Sequence, residues 1–500
     1  MTPTRARIVL SLLLLGAGFA FTYRMAESPL WFDEAVSYRM AAVFSADEML
    51  LRAARDVHPP LYYALLRAWI GVFGSTVVAM RGLSVLLSLA TLLASFRLCT
   101  LVYPGDRGRR IGLTAVALIG TSTLLVQHAW NARMYSLLDL LAVSSCVFLV
   151  RALRGSERDW LAYSLCAAAA LYTHNAAIPL FAGQVLYLLL GRRRDRKAWL
   201  AVALVVLLYS PWMPTLLLQA QQVHRVYWSG PLDREQFISG LVHTVFPPTD
   251  VWVPWNEGLR TTVALTLILL IAAGFMAVAE REEWLLASMA LAVPLLILLY
   301  STFGRNFFMH RYLSVSFLFL CILAARVIWT LPSRRETVTC LVLFLALNLS
   351  TLIDHVRRSR CDAALGVRGA AELLAREFQP GDRILVMSPE VYLSLDYYLG
   401  KALPMTAVIS DPPADHFQGG AFLGAAETSG METLDSAAGR IWSVKSTGYS
   451  YTRLHPIAVP PYWTLLQHRS LPEPYHFQKT IEVRLYRASS RPEAVRNGSN

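Results

Sequence analysis

The chain has 500 residues, of which 55% are hydrophobic and only 16% charged, with a mean hydropathy of +0.43. Soluble chains carry about 25% charged residues, so an ordinary water-soluble enzyme is excluded. The net charge of +12 does not point to nucleic acid, because many of the basic residues sit in short loops between apolar runs, where they act as topology determinants.

In chain order, the first apolar run is "IVLSLLLLGAGFAFTY", flanked by Arg5 and Arg7. It is longer than the apolar core of a signal peptide, lacks a small-residue cleavage site and is followed by further runs, so it predicts an uncleaved anchor. The remaining runs bring the expectation to about eleven spans, near 7–23, 79–102, 111–128, 134–153, 160–173, 176–190, 198–218, 259–279, 284–303, 310–331 and 337–355. The short loops "YPGDRGRRIG", "RALRGSERDW", "GRRRDRKAW" and "PSRRE" are rich in Arg, and the positive-inside rule assigns them to the cytoplasm. Residues 58–74, "HPPLYYALLRAWIGVFG", form the one ambiguous apolar stretch. Counting it as a span would put two Arg-rich loops outside, and it contains Arg67 and Trp69. It therefore predicts an interfacial helix within a large extracytoplasmic loop over residues 24–78.

Beyond His355 the composition shifts. "GVRGAAELLAREFQPGDRILVMSPEVYLSLDYYLG" reads as amphipathic helix, turn, buried strand and helix, while "TAVIS", "RIWSVKS" and "IEVRLYRAS" alternate like strands. The predicted architecture is a polytopic α-helical membrane domain over 1–355 and a small extracytoplasmic α/β domain over 356–488, with a disordered tail over 489–500. Cys99, Cys146, Cys166, Cys321 and Cys340 lie in apolar runs and Cys361 stands alone, so no disulfide framework follows.

Ionisable groups from five separate segments fall on the outer side of this topology: Asp33 and Glu34, Asp56 and His58, Arg133 and Tyr135, His174, and His310, Arg311 and Tyr312. Each has a structural explanation. Asp33 suits the N-cap of a helix starting "EAVSYRM", and Asp56 suits a cap before Pro59 and Pro60. Arg133 and Arg311 suit snorkelling from span ends, His174 an interfacial donor, and Trp228, Trp252 and Trp255 an aromatic belt. Against these stands their coincidence on one side of the membrane, where carboxylates and arginines together match a phosphate-bearing lipid substrate.

The chain resembles the GT-C membrane glycosyltransferases, in particular the glycosyltransferase 39 group of protein O-mannosyltransferases and aminoarabinose transferases. The resemblance rests on "WFDEA", on "DVHPPLYYALLRAWIGVFGSTVVAMRGLS", and on "ARMYSLL", "LYTHN" and "HRYLS", which look like its bacterial predicted-mannosyltransferase branch. It implies transfer of a sugar from a polyprenyl-phosphate-sugar donor to a hydroxyl of an envelope lipid, glycan or protein, at the outer face of a prokaryotic inner membrane. Asp33 is then the catalytic base. Glu34, Asp56, His58, Arg133, Tyr135, His174, His310, Arg311 and Tyr312 are then the substrate-binding set. The aminoarabinose transferases carry an acidic residue near the position of His58, which leaves a divalent cation open as cofactor.

The chemistry suits these residues. A phosphate leaves without needing a proton, so the enzyme needs one general base, worth about 10²- to 10⁴-fold, and cations to hold the phosphate. One base with separated arginines fits inversion rather than a two-carboxylate retaining mechanism. Neighbours on a helix point about 100° apart, so only one of Asp33 and Glu34 faces the reacting centre. The rival expectations are a lipid or lipid-linked-sugar flippase, which calls for midplane charges and inverted repeats, and a non-catalytic scaffold.

Overall fold

In lipid every backbone polar group must be satisfied within the chain, so apolar runs of this length become helices. The computed structural model describes residues 1–192, 195–225, 227, 229–245, 257–278, 282–358, 366–410, 418–435, 437–449, 455–473 and 479–489. The expected tryptophan belt, Cys361 and the tail from residue 490 lie outside the described residues.

Each expected span coincides with a helix: Pro3–Thr22, Val77–Val102, Gly105–Thr121 with Thr123–Ala129, Tyr135–Leu153, Arg158–Leu171, Ala177–Arg192, Arg196–Tyr209 running on to Met213–Arg225, Glu257–Val278, Glu283–Phe303, His310–Ile328 and Arg334–Arg358. Among the described residues seven helices are long and apolar enough to cross a membrane, or eight if the pair broken at Ser122 and bent by 68° counts as one span. The protein is an integral, multi-pass membrane protein. Its helices expose Leu12, Leu15, Leu190, Leu207, Leu269 and Phe303, a surface stable against lipid and not against water. Leu61–Phe73 has 13 residues, about 20 Å of helix. That is short of the roughly 30 Å hydrocarbon core and in keeping with a helix that does not span.

The chain divides into two units by its contacts: Met1–Met25 with His58–Arg357, and Ala26–Val57 with Arg358–Asn500. The sequence expectation grouped residues 24–78 with the membrane domain. The structure instead gives residues 26–57 to the C-terminal unit, because their polar and aromatic partners lie beyond residue 388.

In the membrane unit, His310–Ile328 is the central helix, with nearly every side chain buried. Near one end Arg326 Nε donates to Glu283 Oε1 at 2.6 Å, both side chains being at most 2% exposed. Breaking such a buried pair by removing one partner typically costs about 3–5 kcal/mol. Small residues let helices approach closely; a Cβ on Gly183 would meet Ala292 Cβ at 2.8 Å.

The second unit is built on a six-stranded sheet in the order β3-β2-β1-β4-β6-β5, with β1 Arg383–Val386, β2 Met405–Val408, β3 Thr428–Ser429, β4 Gly439–Ser446, β5 Thr464–Pro472 and β6 Thr480–Ala488. β1 pairs in parallel with β2 and β4, while β6 runs antiparallel to β4 and β5. Ile384, Leu385 and Val386 are all buried, as a central parallel strand covered on both faces requires. The turn before β1 is tied down by Asp382, which accepts from Trp442 Nε1 and Arg440 Nε, both at 2.8 Å. The carboxyl ends of β1 and β4 form the point where strand order reverses, the usual ligand crevice of a doubly wound sheet.

Candidate functional site

The acidic pair lies in the second unit, on the helix Phe32–Tyr38. This helix begins one residue before Asp33, so Trp31 is the N-cap and Asp33 does not fill the capping position that the sequence suggested. The carboxylate that reaches back is Glu34, whose Oε2 accepts from the Trp31 N–H at 3.4 Å. A carboxylate three residues past the cap forms this bond as part of a capping box. Glu34 is fully buried while Asp33 is half-buried. Neighbouring carboxylates thus have separate fates: Glu34 starts the helix, and Asp33 stands in the first turn, where the helix dipole favours negative charge. Asp56, also in this unit, is buried and caps the C-terminus of Ala46–Arg55, not the start of the following helix as expected.

In the membrane unit the structure brings together His58, Arg133, Tyr135, His174, Arg311 and Tyr312. His58 Nε2 lies 3.5 Å from Arg133 Nη2, and its ring is 5.6 Å from that of His174. Tyr135 and Tyr312 flank His174 at 5.7 and 5.6 Å. The Arg311 guanidinium lies 5.0 Å from the Tyr312 ring centroid. The Leu61 N–H donates to the Tyr172 carbonyl at 3.0 Å, which pins the His-Pro-Pro segment to the turn carrying His174. His310 points elsewhere, edge-on to His243 at 6.0 Å.

Four further residues belong here that the sequence did not single out. His128 stacks on Tyr135 at 4.7 Å, and its Nδ1 lies 3.6 Å from the buried Asp139 carboxylate. The bend at Ser122 turns the segment carrying His128. Tyr227 and Tyr312 share a hydrogen bond at 3.1 Å, with Phe307 stacked on Tyr227 at 4.7 Å.

The cluster is a field of donors. His174 Nδ1 accepts from the Ala176 N–H at 3.0 Å, so its proton sits on Nε2. Burial first, and then the electrostatic influence of His58, Arg133 and Arg311, hold the His174 pKa well below the ordinary histidine value. The arginines that disfavour protonation of His174 are the kind of neighbour that favours an anion. Guanidiniums supply forked bonds to phosphate oxygens, and the tyrosine hydroxyls and the neutral imidazole supply more donors. Among the described residues no group of three or more His, Cys, Asp or Glu side chains is placed to hold a metal ion.

Residues 57–214 match the family model described as dolichyl-phosphate-mannose-protein mannosyltransferase. The chain is similar in structure to ArnT from Cupriavidus metallidurans in the apo state, with a TM-score of 0.63 at 13% identity over 96% of this chain and 98% of that chain. The same protein bound to undecaprenyl phosphate gives 0.57 at 13% identity, over 98% of this chain and 100% of that chain. The Archaeoglobus fulgidus oligosaccharyltransferase, in complex with Zn and sulfate, gives 0.53 at 11% identity over 88% of this chain and 68% of that chain. No curated protein matches the chain by sequence. The fold is that of the GT-C membrane glycosyltransferases.

Proposed function

We propose that this GT-C-fold protein is an inverting glycosyltransferase that takes a sugar from a polyprenyl-phosphate donor. The acceptor is a hydroxyl of an envelope lipid, glycan or protein, and the reaction occurs at the outer face of a prokaryotic inner membrane. The observation that carries this reading is the donor cluster of His58, Arg133, His174, Arg311 and Tyr312 in the membrane unit. A structural relative crystallises with undecaprenyl phosphate, a ligand of the chemistry such a cluster would hold.

In this reading the arginines grip the phosphate as its negative charge grows on departure, a gain made mainly in the transition state. Asp33 takes the proton from the acceptor hydroxyl as the new glycosidic bond forms at the sugar carbon. The attack comes from the face opposite the leaving phosphate, which inverts the anomeric centre. Glu34, held by its own helix, does not serve as base.

The test is turnover of a polyprenyl-phosphate-linked sugar by the purified protein in lipid, with an envelope extract as acceptor. Asp33→Asn should express and bind undecaprenyl phosphate normally, yet turn over at least about 100-fold more slowly. Near-parental turnover in Asp33→Asn would remove Asp33 from the chemistry.

A further inference from the structure

A doubly wound sheet ordinarily takes its ligand at the carboxyl ends of the strands where their order reverses. In the second unit that crevice holds a piece of this same chain. Phe32 packs edge-on to Tyr449, just past β4, at 6.0 Å. It also lies beside Gly419, where an added Cβ would meet Phe32 at 3.6 Å and Pro389, just past β1, at 3.6 Å. Gly419 has φ +97°, so only glycine fits this close approach without strain. The hydroxyls a ligand would use are already taken. Ser388 Oγ accepts from the Ser446 N–H, and Ser446 Oγ accepts from the N–H groups of Gly448 and Tyr449.

The segment is locked at both ends of its helix. The Leu30 N–H donates to the Tyr398 hydroxyl at 2.7 Å, and Tyr38 sits edge-on to Tyr397 at 4.9 Å. Immediately after, where the helix widens into the π turn Arg39–Val43, the Arg39 side chain is 2% exposed and donates to two carboxylates. Nη1 reaches Asp396 Oδ2 at 2.6 Å, and Nη2 reaches both oxygens of Glu427 at 2.7 and 2.9 Å.

We infer that Arg39 is a positioning residue: through Asp396 and Glu427 it fixes the rotation of the helix bearing Asp33, so that the C-terminal unit serves as the mount of the acidic pair. The inference rests on the reading of Asp33 as base. A buried ion pair is a poor device for stability alone, since an apolar core does as well or better. Its forked, directional bonds do set an angle. Arg39 lies six residues beyond Asp33 on the same short helical rod, about 9 Å along its axis, so a turn at one position is passed to the other.

The test uses full-length protein in lipid with three readouts: kcat and KM on a polyprenyl-phosphate-linked sugar, binding of undecaprenyl phosphate, and hydrogen exchange of amides 30–44. Arg39→Met should lower kcat at least about 30-fold and raise exchange across 30–44, with undecaprenyl phosphate binding unchanged within about twofold. Arg39→Lys, which keeps the charge and loses the fork, should fall between. Should Arg39→Met fail to fold, Glu427→Gln carries the test, since Glu427 is part exposed and Asp396 remains; it should lower kcat and loosen 30–44 in the same direction. Unchanged kcat with a loosened segment would overturn the inference, and so would loss of lipid-phosphate binding in step with kcat. Asp33→Asn assayed alongside separates the two ideas. If it stays active while Arg39→Met loses activity, the base assignment fails and the mount must serve another residue.

Discussion

The two units handle charge in opposite ways. The membrane unit gathers guanidiniums, imidazoles and hydroxyls from separate segments around His174, with Asp139 as the carboxylate beside His128. The C-terminal unit does the reverse around Arg39, setting two carboxylates on one buried guanidinium. In the first case donors from separate segments gather around one neutral imidazole; in the second a guanidinium is matched by carboxylates inside the protein and holds a helix. The difference teaches that burial of charge by itself does not mark a ligand site. What distinguishes the two clusters is whether donors from several segments converge on one place or a single side chain is matched by dedicated partners.

The sharpest way to break this contrast is to remove the donors. Arg133→Ala and Arg311→Ala should each weaken undecaprenyl phosphate binding by roughly 100- to 1,000-fold, since a charged, forked contact is worth a few kcal/mol. Equilibrium binding in nanodiscs measures it. Loss of turnover with unchanged affinity would mean the arginines act elsewhere.

The contrast extends to pH. His174 is held neutral, its pKa lowered first by burial and then by His58, Arg133 and Arg311. The unfolded chain binds a proton below pH ~6.5 that the folded unit refuses, so the membrane unit loses stability as pH falls through that value. Glu473 in the C-terminal unit goes the other way. Burial raises its pKa from 4.5 to about 7, against a hydrogen bond from the Val367 N–H. The folded unit therefore binds the extra proton, and stability is lost as pH rises from about 4.5 through 7, by up to about 3 kcal/mol. Glu473→Gln should remove this loss: at pH 8 the variant should resist denaturant better than the parent, and at pH 4 the two should coincide. Equal behaviour at both pH values would refute the burial argument.

Much of the fold was legible because hydropathy speaks locally: each expected span coincides with a helix, seven or eight of them long and apolar enough to cross a membrane among the described residues, and "RIWSVKS" and "IEVRLYRAS" became β4 and β6. The membership of residues 26–57 in the C-terminal unit was not legible. It depends on Arg39 meeting Asp396 and Glu427, partners 357 and 388 residues away, and no local pattern announces such a pair. The cluster around His174 was half visible, through polar residues at span ends. Asp139 carries a signal in the sequence itself: a carboxylate inside an apolar run, which membrane proteins rarely tolerate without purpose. His128 offered less, since its place beside Tyr135 depends on the bend at Ser122. The start of the acidic helix differs from the expectation by two residues: Asp33 reads as an N-cap in sequence, but the helix begins at Phe32 with Trp31 as the cap, and Glu34 is the carboxylate that reaches back.

That bond supports the smallest and most discriminating prediction. Glu34 accepts from the Trp31 N–H, and glutamine at the same position can accept the same bond with its side-chain carbonyl. Glu34→Gln should therefore keep the helix and retain turnover within about tenfold of the parent. Glu34→Ala deletes the acceptor and should cost about 1–3 kcal/mol of local stability, seen as faster hydrogen exchange at Trp31 and the first helical amides, with turnover falling only as far as that loosening carries Asp33. Set beside Asp33→Asn, the pair divides structure from chemistry within two adjacent residues. If Glu34→Gln proved as inactive as Asp33→Asn with exchange at Trp31 unchanged, the carboxylate charge of Glu34 would itself take part in the reaction, and its bond to Trp31 would be incidental.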